Sequence, residues 1–187
     1  MAVITISRQL GSQGDEVAKH VARQLGYRIV NRELVNTAAG RAHAPEMMLA
    51  EVDVLGLLDI HPSKNAQRAY QKEIRQVITE IADEGNALIV GRAGCVLLAE
   101  RQDVLHVRLI APLDWRISRL VQTRSIEMNA ARAQIEASDL ARYTYLHKNH
   151  NVDWNDPQLY ALVLNMERVP VDAAAALICV AHQKCIP

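Results

Sequence analysis

The first 25 residues constrain this chain more than any other stretch. Ala2-Val3-Ile4-Thr5-Ile6 reads as a short apolar strand, Ser7 to Gly14 as a tight loop, and Asp15 to Leu25 as a helix. A strand that feeds a glycine-containing loop and then a helix is the local arrangement with which parallel α/β proteins hold phosphate. The loop N–H groups and the positive helix end both point at the anion. The helix prediction rests on Val17, Val21 and Leu25 sharing a face, with Gly26 placed to stop it.

The loop departs from the Walker pattern of Gly, four residues, then Gly-Lys-Ser/Thr. With Gly14 as the second glycine, Gln9 stands at the first, Asp15 at the lysine and Glu16 at the hydroxyl; no register supplies a lysine. Unit charges about 4 Å apart interact by about 4 kcal/mol at an effective dielectric of about 20. A carboxylate in place of the ammonium is therefore costly beside a polyphosphate. Two resolutions stand open. Asp15 and Glu16 face away and serve only the helix dipole, the simpler reading, or one of them holds a Mg²⁺ that bridges to the phosphates.

Further along, Tyr27 to Val30, Ala87 to Val90, Val104 to Ile110 and Leu162 to Asn165 read as strands. The segments between them carry helical periodicity, notably Asn65 to Asp83 and Asn129 to Leu146; residues 147–156 read as irregular. Strands alternating with helices predict a parallel sheet covered on both faces, with ligands beyond the carboxyl ends of the strands. Ser7–Gly14, Asn31–Glu33, Gly91–Gly94 and Pro112–Arg119 fall at those ends. They bring Arg8, Arg32, Arg92 and Arg116 to one rim. Guanidinium pairs bidentately with phosphate oxygens, so these arginines supply the cations that the loop lacks.

Bulk properties narrow the function. The chain has 187 residues, enough for one domain over 1–187. Lys+Arg and Asp+Glu balance at 21 each, which disfavours a nucleic-acid partner bound by charge alone. No apolar run reaches the roughly 18 residues of a membrane span. The N-terminus enters a strand without a basic region or cleavage site, so no signal peptide is expected. Cys95, Cys179 and Cys185 lack zinc spacing and read as free thiols in a reducing cytoplasm. His147, His150 and Asp153 lack a second pair of ligands and read as a solvated loop. Trp154 and Tyr160 read as packing rather than as a platform for a base. Nothing indicates a homo-oligomer.

The succession VITISRQLGSQGDEVAKHVARQLGYRIVNREL, ALIVGRAGCVLL, LHVRLIAPLDWRISRL and SDLARYTYL with VDWNDPQLYALVLN resembles the cytidylate-kinase-like family. That family is a branch of the P-loop nucleoside monophosphate kinases. The resemblance implies a three-layer P-loop kinase fold: a five-stranded parallel sheet flanked by helices, a monophosphate-binding arm over about 40–63 and a lid region over about 116–156. It implies ATP with Mg²⁺, a small-molecule nucleotide as partner, and phosphorylation of a pyrimidine nucleoside monophosphate or similar acceptor. By position, Gly11, Ser12, Gln13 and Gly14 would line the phosphate loop, with Arg8, Asp15 and Glu16 beside it. Asn31, Arg32 and Arg92 would bind the acceptor monophosphate. Arg116 and Arg119 would start the lid, and Asp139 with Arg142 would be its acidic–basic pair. The sequence departs from the family where Gln13 interrupts the usual Gly-Ser-Gly-Gly and where Asn31 replaces the usual Asp. The lysine-free loop keeps a second reading open, a nucleotide-binding regulator without turnover; a purely structural protein has little in its favour.

Overall fold

The strand β1, Val3–Arg8, lies at the centre of a five-stranded sheet. Its neighbours are β3 (Ala87–Val90) and β4 (Val104–Ile110), with β2 (Arg28–Val30) and β5 (Leu162–Asn165) at the edges, in the order β2-β3-β1-β4-β5. Every pairing is parallel; Ile4 stands opposite Leu88 on one side and Leu105 on the other. The computed structural model describes residues 2–43 and 63–185. The arm expected over 40–63 lies almost wholly outside the described residues.

The alternation of a strand decides which layer each residue joins. Ile4 and Ile6 of β1, with Leu88, Leu105, Val107 and Leu109, meet Val17 and Val21 of α1 (Gly14–Leu25) and Ala174 and Ile178 of α7 (Val171–Cys185). Val3, Ala87, Ile89 and Val104 point the other way, onto Ile74, Val77, Ile78 and Ile81 of α3 (Lys64–Glu84). With no phenylalanine in the chain, these aliphatic side chains make the core. Each Ile or Leu buried in full adds about 1.5–3 kcal/mol. Two helices, α5 (Leu113–Arg124) and α6 (Met128–His150), form a hairpin around Ile117, Leu120, Ala131 and Ile135.

Several boundaries differ from the sequence reading. Ser7 and Arg8 belong to β1 and not to the loop, because β4 pairs with them through Arg108 and Leu109. The helix α2 begins at Arg32 and ends at Arg41. The helix α6 continues to His150, so residues 147–150 are helical; the αL residue Asn151, φ 53°, ends it by returning its N–H to His147 O at 3.0 Å. The helix α4 is a single turn, Gly94–Leu97. Among the described residues no helix is long and apolar enough to cross a membrane.

Candidate active site

The loop between β1 and α1 is shaped by two left-handed residues, Gly11 at φ 83° and Gln13 at φ 58°. Ser12 is fully buried, and both its N–H and its hydroxyl donate to Gln9 O, at 3.2 and 2.8 Å. That hydroxyl serves the turn. Within α1 the Val17 N–H is bonded to Gln13 O, and the first-turn N–H groups ahead of it have no acceptor inside the helix. They open toward a cleft of about 280 Å³ lined by the loop and by Arg8, Arg119, Thr123, Arg124 and Arg142.

Asp15 and Glu16, in the first turn of α1, are also among the residues that line this cleft. Asp15 Oδ1 lies 3.5 Å from Arg8 Nε. Arg8 stands in a trough made by two glycines. A Cβ at Gly14 would come within 2.6 Å of Arg8 Cγ, and one at Gly91 within 2.9 Å of Arg8 Nη1. The guanidinium therefore reaches from the loop across to the end of β3.

At that end Gly91, Arg92 and Ala93 all have positive φ, 76°, 56° and 55°. Left-handed geometry at the two non-glycine residues costs energy that the surrounding packing must sustain. Their turn is closed by Gly94 N–H to Gly91 O at 3.1 Å and tied to β1 by Gly91 N–H to Ile6 O at 2.9 Å. It delivers Arg92 toward Tyr70 of α3 and Tyr145 of α6. Burial pushes the Tyr70 hydroxyl up to about 12 and raises that of Tyr145, while Arg92 pulls both back down. Asn31 lies between β2 and α2, and Arg32 opens α2; the Arg32 side chain is outside the described residues.

The two α5 arginines have different settings. Arg116 is buried at 5% exposure and donates to Ala111 O at 3.0 Å, to Leu10 O at 3.4 Å and to Asp139 Oδ2 at 2.8 Å. It clamps β4, the loop and α6 together and is not among the cleft-lining residues. Arg119, one turn on, lines the cleft, lies over the Trp115 ring at 5.7 Å, and has a buried Nε without a hydrogen-bond partner. Arg142 lines the cleft from α6 and donates to Ser138 Oγ. Of the arginines expected from the sequence, Arg8, Arg119 and Arg142 line this cleft, together with Thr123 and Arg124, which are not among the expected residues. Their spacing from Arg119 and Leu120 on one helix face was the available signal.

Trp154 and Tyr160 are packing residues, as read from the sequence. The Trp154 indole N–H donates to Ser7 Oγ at 2.7 Å, and Tyr160 OH lies 3.5 Å from the same oxygen. Among the described residues no group of His, Cys, Asp and Glu is arranged to hold a metal ion. Cys95 and Cys179 are free and buried.

Comparison with known proteins agrees with this architecture. The profile of the cytidylate kinase-like family matches residues 3–168. The chain is similar to the cytidylate kinase of Ignicoccus hospitalis, 27% identical over 165 residues, covering 88% of this chain and 90% of that protein. Among solved structures, an uncharacterized protein from Eubacterium ventriosum superposes with a TM-score of 0.72 at 18% identity, over 98% of this chain and 99% of the other. A shikimate kinase from Acinetobacter baumannii bound to shikimate shares the fold, at a TM-score of 0.55 and 11% identity, over 98% of this chain and 95% of the other. The sheet order, the loop that opens α1 and the match over residues 3–168 lead to one conclusion: the chain belongs to the cytidylate kinase-like family and is a kinase-like transferase.

Proposed function

We propose that the protein transfers the γ-phosphoryl group of ATP to a pyrimidine nucleoside monophosphate. The observation that carries this reading is the cleft around the α1 N-terminus. There Arg8, Arg119, Arg124 and Arg142 surround lysine-free loop backbone, and the buried Arg119 Nε has no partner among the described residues. Phosphoryl transfer requires mainly positioning and positive charge around the moving group. The loop N–H groups and these guanidinium groups hold the ATP phosphates, and Arg32 and Arg92 hold the acceptor phosphate from the neighbouring strand ends. Arg8, lying between Gly14 and Gly91, spans the two. An acceptor phosphate oxygen forms a bond to the γ-phosphorus as the bond to the β-bridging oxygen breaks, releasing ADP. The second phosphate pKa is about 6, so the attacking oxygen is already ionised near neutrality and no general base is required.

Hard oxygen donors suit Mg²⁺, and two acidic residues, Asp15 and Glu16, are among those that line the cleft. Asp15 or Glu16 would hold the ion, which would supply positive charge beside the phosphates. Asp139 acts on this site through Arg116, as a positioning residue.

The test is an ADP-release assay with Mg-ATP across CMP, dCMP, UMP and AMP, paired with calorimetry on the same nucleotides. Turnover with a pyrimidine acceptor above background is the expected result. Binding without turnover on any acceptor would favour the regulator reading, which Asp15 at the lysine position motivates. Neither binding nor turnover would overturn both.

A further inference from the structure

A second cleft, of about 370 Å³, lies at the carboxyl ends of β4 and β5. Its lining includes Gln9, Arg108, Asn155, Val163 and Asn165. Arg108 is 3% exposed. Its Nη1 donates to Tyr160 OH at 3.3 Å and its Nη2 to Asn155 Oδ1 at 2.8 Å, and the group lies 4.2 Å from the centre of the Trp154 ring. All of these partners are neutral. Among the described residues no Asp or Glu forms an ion pair with Arg108 or lines the cleft. Burying a guanidinium without a counter-charge costs several kcal/mol, and an aliphatic side chain would fill the same place at less cost.

The neighbouring amides are oriented by donors that cannot be reversed. The Ala111 N–H donates to Gln9 Oε1 at 3.0 Å, Arg108 to Asn155 Oδ1, and the Glu167 N–H to Asn165 Oδ1 at 3.1 Å. Each amide oxygen is thereby identified by the donor it faces, and the opposite end of each group is its NH₂ donor. One cleft thus combines a buried guanidinium and three amide donors with no acid. That set is the complement of an oxyanion.

We infer that this cleft binds the phosphate or carboxylate group of a small molecule at a site separate from the one around α1. The oxyanion supplies the charge that Arg108 lacks and accepts from the amides of Gln9, Asn155 and Asn165. Trp154 stacks on Arg108 and reports the event, whereas Trp115 lies under Arg119, which lines the other cleft. The chain has no other tryptophan.

The experiment follows the two ¹⁵N-indole resonances, assigned with a Trp115→Phe variant, during titration with inorganic phosphate and, separately, with malonate. Chloride at matched ionic strength is the control. A saturable shift of the Trp154 resonance with either oxyanion and none with chloride is expected. Phosphate alone or both anions responding would define the preferred source. Asn155→Asp keeps an acceptor for Arg108 but adds a negative charge, and Val163→Glu adds one at the exposed lip; each should weaken the Trp154 response about tenfold or more while the Trp115 response persists. No saturable shift at Trp154, an equal shift with chloride, or an unchanged response in both folded variants would overturn the inference.

Discussion

Arg8 and Arg119 divide the positive charge of the candidate active site in different ways. Arg8 is fixed by space: Gly14 and Gly91 leave room for its stem and its head. Gly14→Ala places a methyl group against the near end of that stem, which cannot swing aside without moving β1. A loss of about 1–3 kcal/mol is expected, read as a lower urea midpoint at unchanged slope. Arg119 instead lies over Trp115, with a buried Nε that has no hydrogen-bond partner among the described residues. Arg119→Ala should leave stability within about 0.5 kcal/mol. Phosphate or nucleotide affinity should fall by about 1.5–3 kcal/mol, the worth of a charge-assisted hydrogen bond. Calorimetry on the variant checks it, and a stability loss that outweighs the binding loss would make Arg119 a structural residue.

Two connections set the geometry of whole elements. The turn after β3 holds Arg92 at φ 56°, where any residue with a Cβ is disfavoured by about 1–2 kcal/mol. Neither Arg92→Gly nor Arg92→Ala retains the guanidinium, so their difference isolates the backbone. The glycine variant should be the more stable by about 1 kcal/mol, measured by chemical denaturation. The second connection is Arg116 with Asp139, side chains 6% and 26% exposed, joining α5 to α6. Asp139→Ala leaves the buried guanidinium without its carboxylate. The cost should be about 2–3 kcal/mol, at or below the lower end for a fully buried pair because Asp139 is partly solvated. A thermal melt that moves by less than the repeat error would contradict the clamp.

These elements also show what the sequence reveals. All five strands are legible, because each is a short apolar run bounded by Gly, Pro or polar residues, and the alternating helices identify the sheet as parallel. The arginines were legible as residue types near strand ends but not by environment. Arg116 and Arg119 are three residues apart, yet one is buried against carbonyl oxygens and the other faces a cleft. Only the packing of α6 separates them. The setting of Arg108 is not legible inside an apolar strand, since the Tyr160 and Asn155 that receive it are 52 and 47 residues away. The last turn of α6 is not legible, because His147, Lys148, Asn149 and His150 carry no apolar residue to continue the helical pattern.

At the scale of the molecule, sensitivity to acid follows from histidines held neutral. Burial lowers the pKa of His106, which contacts Thr5 Oγ1 at 2.7 Å, and of His182, which contacts Tyr27 OH at 2.8 Å; at His150 burial is joined by Arg75. With folded values below the unfolded value of about 6.5, the unfolded chain takes up protons first. Stability should therefore hold above about pH 6.5 and fall as pH drops toward the lowered folded values. Urea midpoints at about pH 7.5 and about pH 5.5 check the sign, and His106→Gln should flatten the slope. The central position of β1 has a consequence for the newly made chain. Thr5 meets His106 across 101 residues, so β1 leaves the ribosome well before the strand that covers its second edge. At about 5–20 residues per second, Val3 to Ile6 wait roughly 5–20 s for β4. During that interval a bare, β-branched segment is open to chaperones and to the same segment of a neighbouring nascent chain.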